Sequence, residues 1–422
     1  MPAATPLPRG PTVLTLYSAT DLLTEPGCPV CRYAGEVASR YLAWFALEGH
    51  GDAVTVTRLC ASLGMCPRHT RGLMSQPGAA RRLTALYRYL MRAARDRLAG
   101  QAARLAGCPA CERDDGAVGR ALETLLEGLA DGPVRDRYRE LGSLCIPHLR
   151  AASVRGDRGV IAWLARTLTE AITACPAGPA CPAGPGWLAG TGQDADVRVA
   201  LRDALPAVVL PGSGVCAACL AAGHSEQANL AVLADRGAPG GPDRRLLLCE
   251  GHLSDLVAHA RRPGVAPLLA WQAGCLTAAL VRPASPPGRK PGGPPGWLRF
   301  RRRRGIDLDD CPVCLDSEAA AQRALDELRR QLRVAPGVLG APFPLCVRHL
   351  LHLNAADPWA AQVTAPDAID RTDRLAAELD AAFTKGTWAH RHETRGPEMT
   401  AWRRAAAFLD GAVFCGSPPR DA

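Results

Sequence analysis

The sequence predicts an all-α chain, and three observations predict it. Cys-x-x-Cys and Cys-x-x-His pairs recur in a fixed order four times along 422 residues. The stretches that follow each pair carry apolar residues at the three-and-four spacing of one helical face. Pro/Gly-rich stretches without that spacing divide the repeats into blocks. The expected architecture is four helical modules, each pinned at its Cys/His pairs, arranged as two bodies joined by Pro/Gly-rich linkers.

The first repeat has Cys28, Cys31, Cys66 and His69, and the second has Cys108, Cys111, Cys145 and His148. The third has Cys216, Cys219, Cys249 and His252, and the fourth has Cys311, Cys314, Cys346 and His349. Twelve of the 17 cysteines belong to this pattern, so the spacing is a property of the chain and not of one chance pair. Positions three apart share a face in the first turn of a helix, where one Cys and one further ligand can grip the same ion. Pro follows the first Cys in three of the four Cys-x-x-Cys knuckles, which suits a first helical position. A thiolate at a helix N-terminus also gains from the helix dipole.

After the first knuckle, Tyr33, Val37, Tyr41 and Trp44 mark a helical face. Val118, Leu122, Leu125 and Leu129 do so in the second module, and Ala321, Leu325, Leu328 and Leu332 in the fourth. The third is interrupted at 237–242. A helix of 18 residues advances roughly 27 Å, so thirty-odd residues suffice to go out along one helix and return along a second segment. Each module is therefore expected to close on its own knuckle. A packing helix follows, marked by Leu83, Leu86, Leu90 and Leu98, by Ile161, Leu164, Leu168 and Ile172, by Val265, Leu268, Leu276 and Leu280, and by Leu375, Leu379 and Phe383.

These patterns divide the chain into an N-terminal tail (1–26), module one (27–107), module two (108–173) and a flexible Pro/Gly linker (174–204). Module three (205–281), a basic linker (282–305), module four with a C-terminal helix (306–412) and a tail (413–422) follow. Modules one and two abut and are expected to form one body. Residues 385–399 look irregular, and Thr400–Leu409 reads as a last helix docked through Trp402 and Phe408.

The net charge of +9 is local. Arg282, Arg289, Lys290, Arg299 and Arg301 to Arg304 carry it without an intervening acid, and the rest of the chain is near neutrality. Trp297, Arg299, Arg301, Arg302, Arg303 and Arg304 are the candidate contact for a polyanion, nucleic acid included, since arginine beside an aromatic neutralises phosphate and stacks on bases. A solvated, self-repelling linker accounts for the same run. The modules themselves carry no such charge, which argues against nucleic-acid binding by them. No stretch approaches a membrane span and the N-terminus has no charged-then-apolar leader, so a cytoplasmic protein is expected. In a reducing compartment, repeated cysteine pairs read as metal ligands and not as disulfides.

The pairing of Cys28-Pro-Val-Cys31 with Met65-Cys66-Pro-Arg-His69, with its three counterparts, resembles a group of uncharacterised bacterial helical proteins common in actinobacteria. The closing Ala401-Trp402-Arg403-Arg404 and Phe408-Leu409-Asp410-Gly411 look like the ending of such modules. Module three departs from the pattern, with Ala217 in place of proline. The resemblance implies a helical fold and zinc as the ligand, and implies no activity.

Four ligands per module fill a tetrahedral zinc ion, whereas a catalytic zinc keeps an open position. Four structural zinc ions are therefore expected, with an iron–sulfur cluster as the alternative for three Cys and one His. A non-enzymatic scaffold that binds a protein partner is the leading functional reading. Nucleic-acid binding through the arginine run and a redox or zinc enzyme with one open module are the alternatives. His224-Ser225-Glu226 is only superficially a deaminase motif, and His390, His392 and Glu393 sit in a solvated segment. Cys60 and Cys275 read as core, while Cys175 and Cys181 fall in the Pro/Gly linker and Cys415 in the tail.

Overall fold

A computed structural model describes residues 11–76, 78–100, 105–141, 144–174, 216–236, 248–257, 264–281, 311–334, 345–390 and 392–411. All regular elements among them are helical. The linker calls at 174–204 and 282–305 fall outside them except for Ala174, as do Trp297, the arginines 299 and 301–304, Cys175, Cys181, Cys415 and the tail 413–422.

Each module contributes three helices in the same order. A long knuckle helix starts one residue after the first knuckle cysteine: α2 (Pro29–Leu47), α6 (Pro109–Gly128), α10 (Ala217–Arg236) and α13 (Pro312–Val334). A short helix starts one residue after the cysteine of Cys-x-x-His: α4 (Pro67–Met74), α8 (Ile146–Ser153), α11 (Glu250–Val257) and α14 (Val347–Ala356). A packing helix closes each module: α5 (Ala79–Leu98), α9 (Arg158–Ala174), α12 (Val265–Val281) and α15 (Pro358–Lys385). Modules one and two add α3 (Ala53–Ser62) and α7 (Gly132–Leu141) between knuckle helix and short helix. The expected first-turn placement holds throughout. Asp357 caps α15 by accepting from the Trp359 and Ala360 amides, which supplies donors that the helix itself leaves unbonded.

Two further helices flank the modules. Residues 1–26 are not wholly a tail, because α1 (Val13–Leu22) forms there with Thr12 as its cap. Ala19 and Leu23 on α1 are buried, and Ala19 lies so close to Gly128 that a Cβ there would meet its own at 2.3 Å. At the other end α16 (Ala401–Asp410) buries Trp402, Phe408 and Leu409, as the sequence suggests.

The chain divides into two compact units. The described residues of the first fall within 1–35, 116–195 and 229–314, and those of the second within 36–115, 196–228 and 315–422. Each unit draws on all four modules, so the units do not coincide with modules one–two and three–four. The knuckle helices run from one unit into the other.

In the first unit the core is built where α9 meets α12, around Leu164, Leu168, Leu268 and Leu269, with Leu122 and Leu125 of α6 completing it. In the second, α5 lies against α14, α15 and α16, and buries Leu83, Leu86, Leu90 and Met91 with Leu375, Leu379 and Phe408. The predicted faces of the packing helices are the buried ones at these positions, but Phe383, expected on the buried face of α15, is exposed. The face of α2 is rotated from expectation: Tyr41, Leu42, Phe45 and Ala46 are buried, whereas Trp44 is 38% exposed. Trp44 stacks on Tyr41 and lies over Gly49, where a side chain would collide with its ring.

Phe408 is 1% exposed in the second core. Its replacement by alanine is expected to cost about 3–5 kcal/mol, read as an earlier chemical-denaturation transition of the second unit.

Candidate metal centres

All sixteen predicted ligands are brought together in four clusters, each of three cysteines and one histidine whose donor atoms lie within 4.8 Å of one another. The partners differ from those expected. Cys28 and Cys31 meet Cys145 and His148, while Cys66 and His69 meet Cys108 and Cys111. Cys216 and Cys219 meet Cys346 and His349, while Cys249 and His252 meet Cys311 and Cys314. No module closes on its own knuckle. Modules one and two exchange knuckles, and so do modules three and four.

The helices between the half-sites are unequal in length: the 19 residues of α2 span about 28 Å and the 10 of α3 about 15 Å, and in module two the 20 residues of α6 are followed by the 10 of α7. In each of these modules the short helix forms at the knuckle of the neighbour.

Every cluster is assembled at the N-termini of two helices, and each helix supplies its capping cysteine and the third residue of its first turn. Cys66, Cys145 and Cys346 occupy cap positions with extended backbone, and their sulfurs make no capping hydrogen bond. The sulfurs point instead at the Nδ1 atoms of the histidines. In the first cluster the Cys28, Cys31 and Cys145 sulfurs lie 3.4, 3.1 and 3.1 Å from His148 Nδ1. Around His69 the distances are 3.3, 3.7 and 3.5 Å, around His349 3.3, 3.3 and 3.2 Å, and around His252 3.2, 3.3 and 3.4 Å. Sulfur–sulfur contacts run from 3.5 Å (Cys31–Cys145) to 3.9 Å (Cys219–Cys346). A tetrahedron with metal–sulfur bonds of about 2.3 Å and a metal–nitrogen bond of about 2.0–2.1 Å has edges of about 3.6–3.8 Å. The sulfur–sulfur contacts are close to those edges and most sulfur–nitrogen contacts are a few tenths of an ångström shorter, and none of these cysteines is in a disulfide.

Electrostatics also calls for a cation. Hydrogen bonds from Cys111 and then Cys66 hold the Cys108 thiol far below its ordinary range, while the contact with Cys108 pushes Cys111 far above it. Contact with Cys219 lowers Cys216, and contact with Cys216 raises Cys219. Contact with Cys249 takes Cys311 down to about 3, and Cys249 is raised by Cys311 in return. Burial opposes ionisation of Cys28, but hydrogen bonds from Cys145 and Cys31 and the His148 charge overcome it. Burial and the hydrogen bond with Cys28 drive Cys145 up. One thiol of each set ionises readily and a second resists, as expected of negative charges crowded together. A bound dication removes that conflict, and the two helix N-termini, roughly half a positive charge each, offset the remaining charge of about −1.

Three supporting residues carry no signal in the ligand spacing. Asp114, three residues after Cys111, pairs with His69 Nε2 at 2.8 Å, which leaves Nδ1 to face the sulfurs. Its two acidic neighbours on the chain, Glu112 and Asp115, hide it in the sequence, although an acid one turn beyond a knuckle is a readable sign. Arg348, inside the fourth Cys-x-x-His, donates to Asp410 at 2.6 Å and to the Ser62 carbonyl at 3.2 Å. Burial pushes the Asp410 carboxyl up to about 6, against the pull of Arg348. Gly411, with φ of 76°, lies against the same cluster, and a Cβ there would come 2.2 Å from Cys219 Sγ and 3.3 Å from Cys346 Sγ. Of the remaining candidates, His390 pairs with Glu393 on the surface, and Cys60 packs against the second core.

No family model, no curated protein and no solved structure matches this chain. No helix among the described residues is long and apolar enough to cross a membrane.

The exchanged pairing predicts which double variants lose one metal and which lose two. Cys31→Ser with Cys145→Ser removes ligands from one cluster, so metal analysis is expected to show one ion lost. Cys31→Ser with Cys66→Ser strikes two clusters and is expected to lose two ions. Closure within modules gives the opposite result. Asp114→Asn is expected to weaken one ion of the set by about 10–100-fold, read as an early step in a competitive chelator titration.

Proposed function

We propose that the chain is a non-enzymatic scaffold in which four structural zinc ions staple a helical body that binds a protein partner. The observation that carries this reading is the completeness of the four donor sets. Each offers four ligands at the corners of one tetrahedron, which leaves no position for substrate or activating water. Three thiolates also make zinc a weak Lewis acid. A cluster of several irons would spread its donors beyond the edges of a single tetrahedron, so one ion per set fits better.

The structural role follows from what the ligands join. Each ion ties the starts of two helices from different modules, and the modules are small enough to gain from a metal staple. Val13, Leu14 and Tyr17 on α1, each more than two-thirds exposed, supply apolar surface of the kind a protein partner covers. The reading suits a reducing, cytoplasmic setting and the bacterial helical group that the motifs resemble. The alternative use of Arg299 and Arg301 to Arg304 for nucleic acid gains no support from the described residues.

Metal analysis of the purified protein tests the proposal. About four zinc per chain in a colourless sample is expected, with loss of helical circular dichroism on chelation. A stoichiometry near zero, or iron with labile sulfide, overturns it. Because thiols must deprotonate to bind, zinc loading is expected to release two or more protons per ion and to weaken as pH falls. A weakly buffered indicator titration reads that release, and proton-neutral binding contradicts thiolate ligation.

A further inference from the structure

The two inter-helix cores share a feature that the metal clusters do not. Residues 11–174 hold two complete donor sets, and residues 216–411 hold the other two. Among the described residues no cluster joins these halves of the chain. What joins them is helix packing, once in each unit. In the first unit α9 of the leading half lies against α12 of the trailing half, and Arg150 donates to the Leu248 carbonyl at 3.0 Å. In the second unit α5 of the leading half lies against α14, α15 and α16 of the trailing half.

The contact between α5 and α15 is selective in charge. Arg88 pairs with Asp380, Arg92 reaches Asp380 at 3.8 Å and Arg95 pairs with Asp373 at 2.9 Å. Residue numbers fall on one helix as they rise on the other, so the two helices are antiparallel. Arg88 also lies over the Phe383 ring at 4.5 Å. The charge runs one way: the bridging residues on α5 are all arginine and those on α15 are all aspartate. An antiparallel α5–α5 pair in similar register would set Arg88 against Arg95. The interface thus attracts the unlike helix and repels its own kind. By contrast, α9 and α12 meet through leucines, which supply burial without selection.

We infer that the chain is an intramolecular pair. Its leading and trailing halves are each other's binding partners, held by two helix interfaces, and the arginine–aspartate ladder between α5 and α15 specifies this pairing against the pairing of like halves. The inference rests on packing and charge and stands or falls separately from the identity of the metal.

The test cuts the chain and asks whether the halves stay together. A site-specific protease sequence placed between residues 186 and 205 allows the folded protein to be cleaved. Native mass spectrometry and size-exclusion chromatography at micromolar concentration are expected to show one species containing both halves. Asp373→Arg with Asp380→Arg in the cleaved protein is expected to weaken the pairing at least about tenfold. Adding Arg88→Asp, Arg92→Asp and Arg95→Asp restores the ladder with its signs exchanged and is expected to recover most of that loss. Helical circular dichroism and metal content, measured on the same samples, separate loss of pairing from loss of folding. Halves that part while each keeps its helicity and its metal overturn the inference, as does charge reversal with unchanged affinity. A protein that pairs but holds no zinc overturns only the scaffold's metal reading.

Discussion

Everything in this fold depends on pairs of helix N-termini meeting at three sulfurs and one imidazole nitrogen. A helix start is an electropositive end with unbonded amides, and a thiolate is well placed there. Three thiolates crowded at two such ends repel one another, as the opposed shifts of Cys108 and Cys111 show. The clusters therefore combine a favourable site for each sulfur with an unfavourable sum, and a cation at the centre reverses the sign of the sum. The short helices α4, α8, α11 and α14 have 8 to 10 residues and would be marginal alone. Their first turns are fixed by the cluster, and their following packing helices inherit a defined direction.

Around the cluster of Cys216, Cys219, Cys346 and His349 the protein adds a second layer. Arg348 sits between two ligands and reaches both Asp410 and the Ser62 carbonyl. Gly411 presses its backbone against two of the sulfurs, which only a residue without a Cβ and tolerant of positive φ can do. The last helix is therefore positioned by the core on one side, through Phe408 and Leu409, and by the ligand loop on the other. The cluster around His69 is supported differently, by a carboxylate on the outer nitrogen of the imidazole. The four sites share a donor set and differ in what surrounds it.

The Cys and His residues that cluster, the first-turn geometry and most of the buried faces of the packing helices were legible in the sequence because each depends on local spacing. Cys-x-x-Cys has a single good placement at a helix start, and Leu83, Leu86 and Leu90 mark one face whatever they pack against. The choice of partner is not local. Spacing records how far the chain can reach from Cys31 to Cys66, and it does not record which half-site meets which. The exposure of Trp44 is a similar case, since its place depends on Gly49 and Tyr41 and not on the period of the helix. Asp114 was hidden by the ordinary look of an acidic residue on a solvated helix.

Loop closure alone favours the pairing that the chain does not adopt. Joining Cys31 to Cys66 closes 35 residues, whereas joining Cys31 to Cys145 spans 114. The entropic difference is about 1 kcal/mol, because closure cost grows only with the logarithm of length. A structural zinc ion, where bound, contributes about 10–16 kcal/mol per site in small peptides, against which that difference is small. The exchange sets the start of α2 against the start of α8 and the start of α6 against the start of α4. The exchange is also nested, because the cluster that joins 66–69 to 108–111 lies inside the span closed by Cys31 and Cys145. Once the inner cluster forms, the outer closure spans fewer free residues. Loop closure is thus too small a term to oppose a reciprocal exchange between adjacent modules.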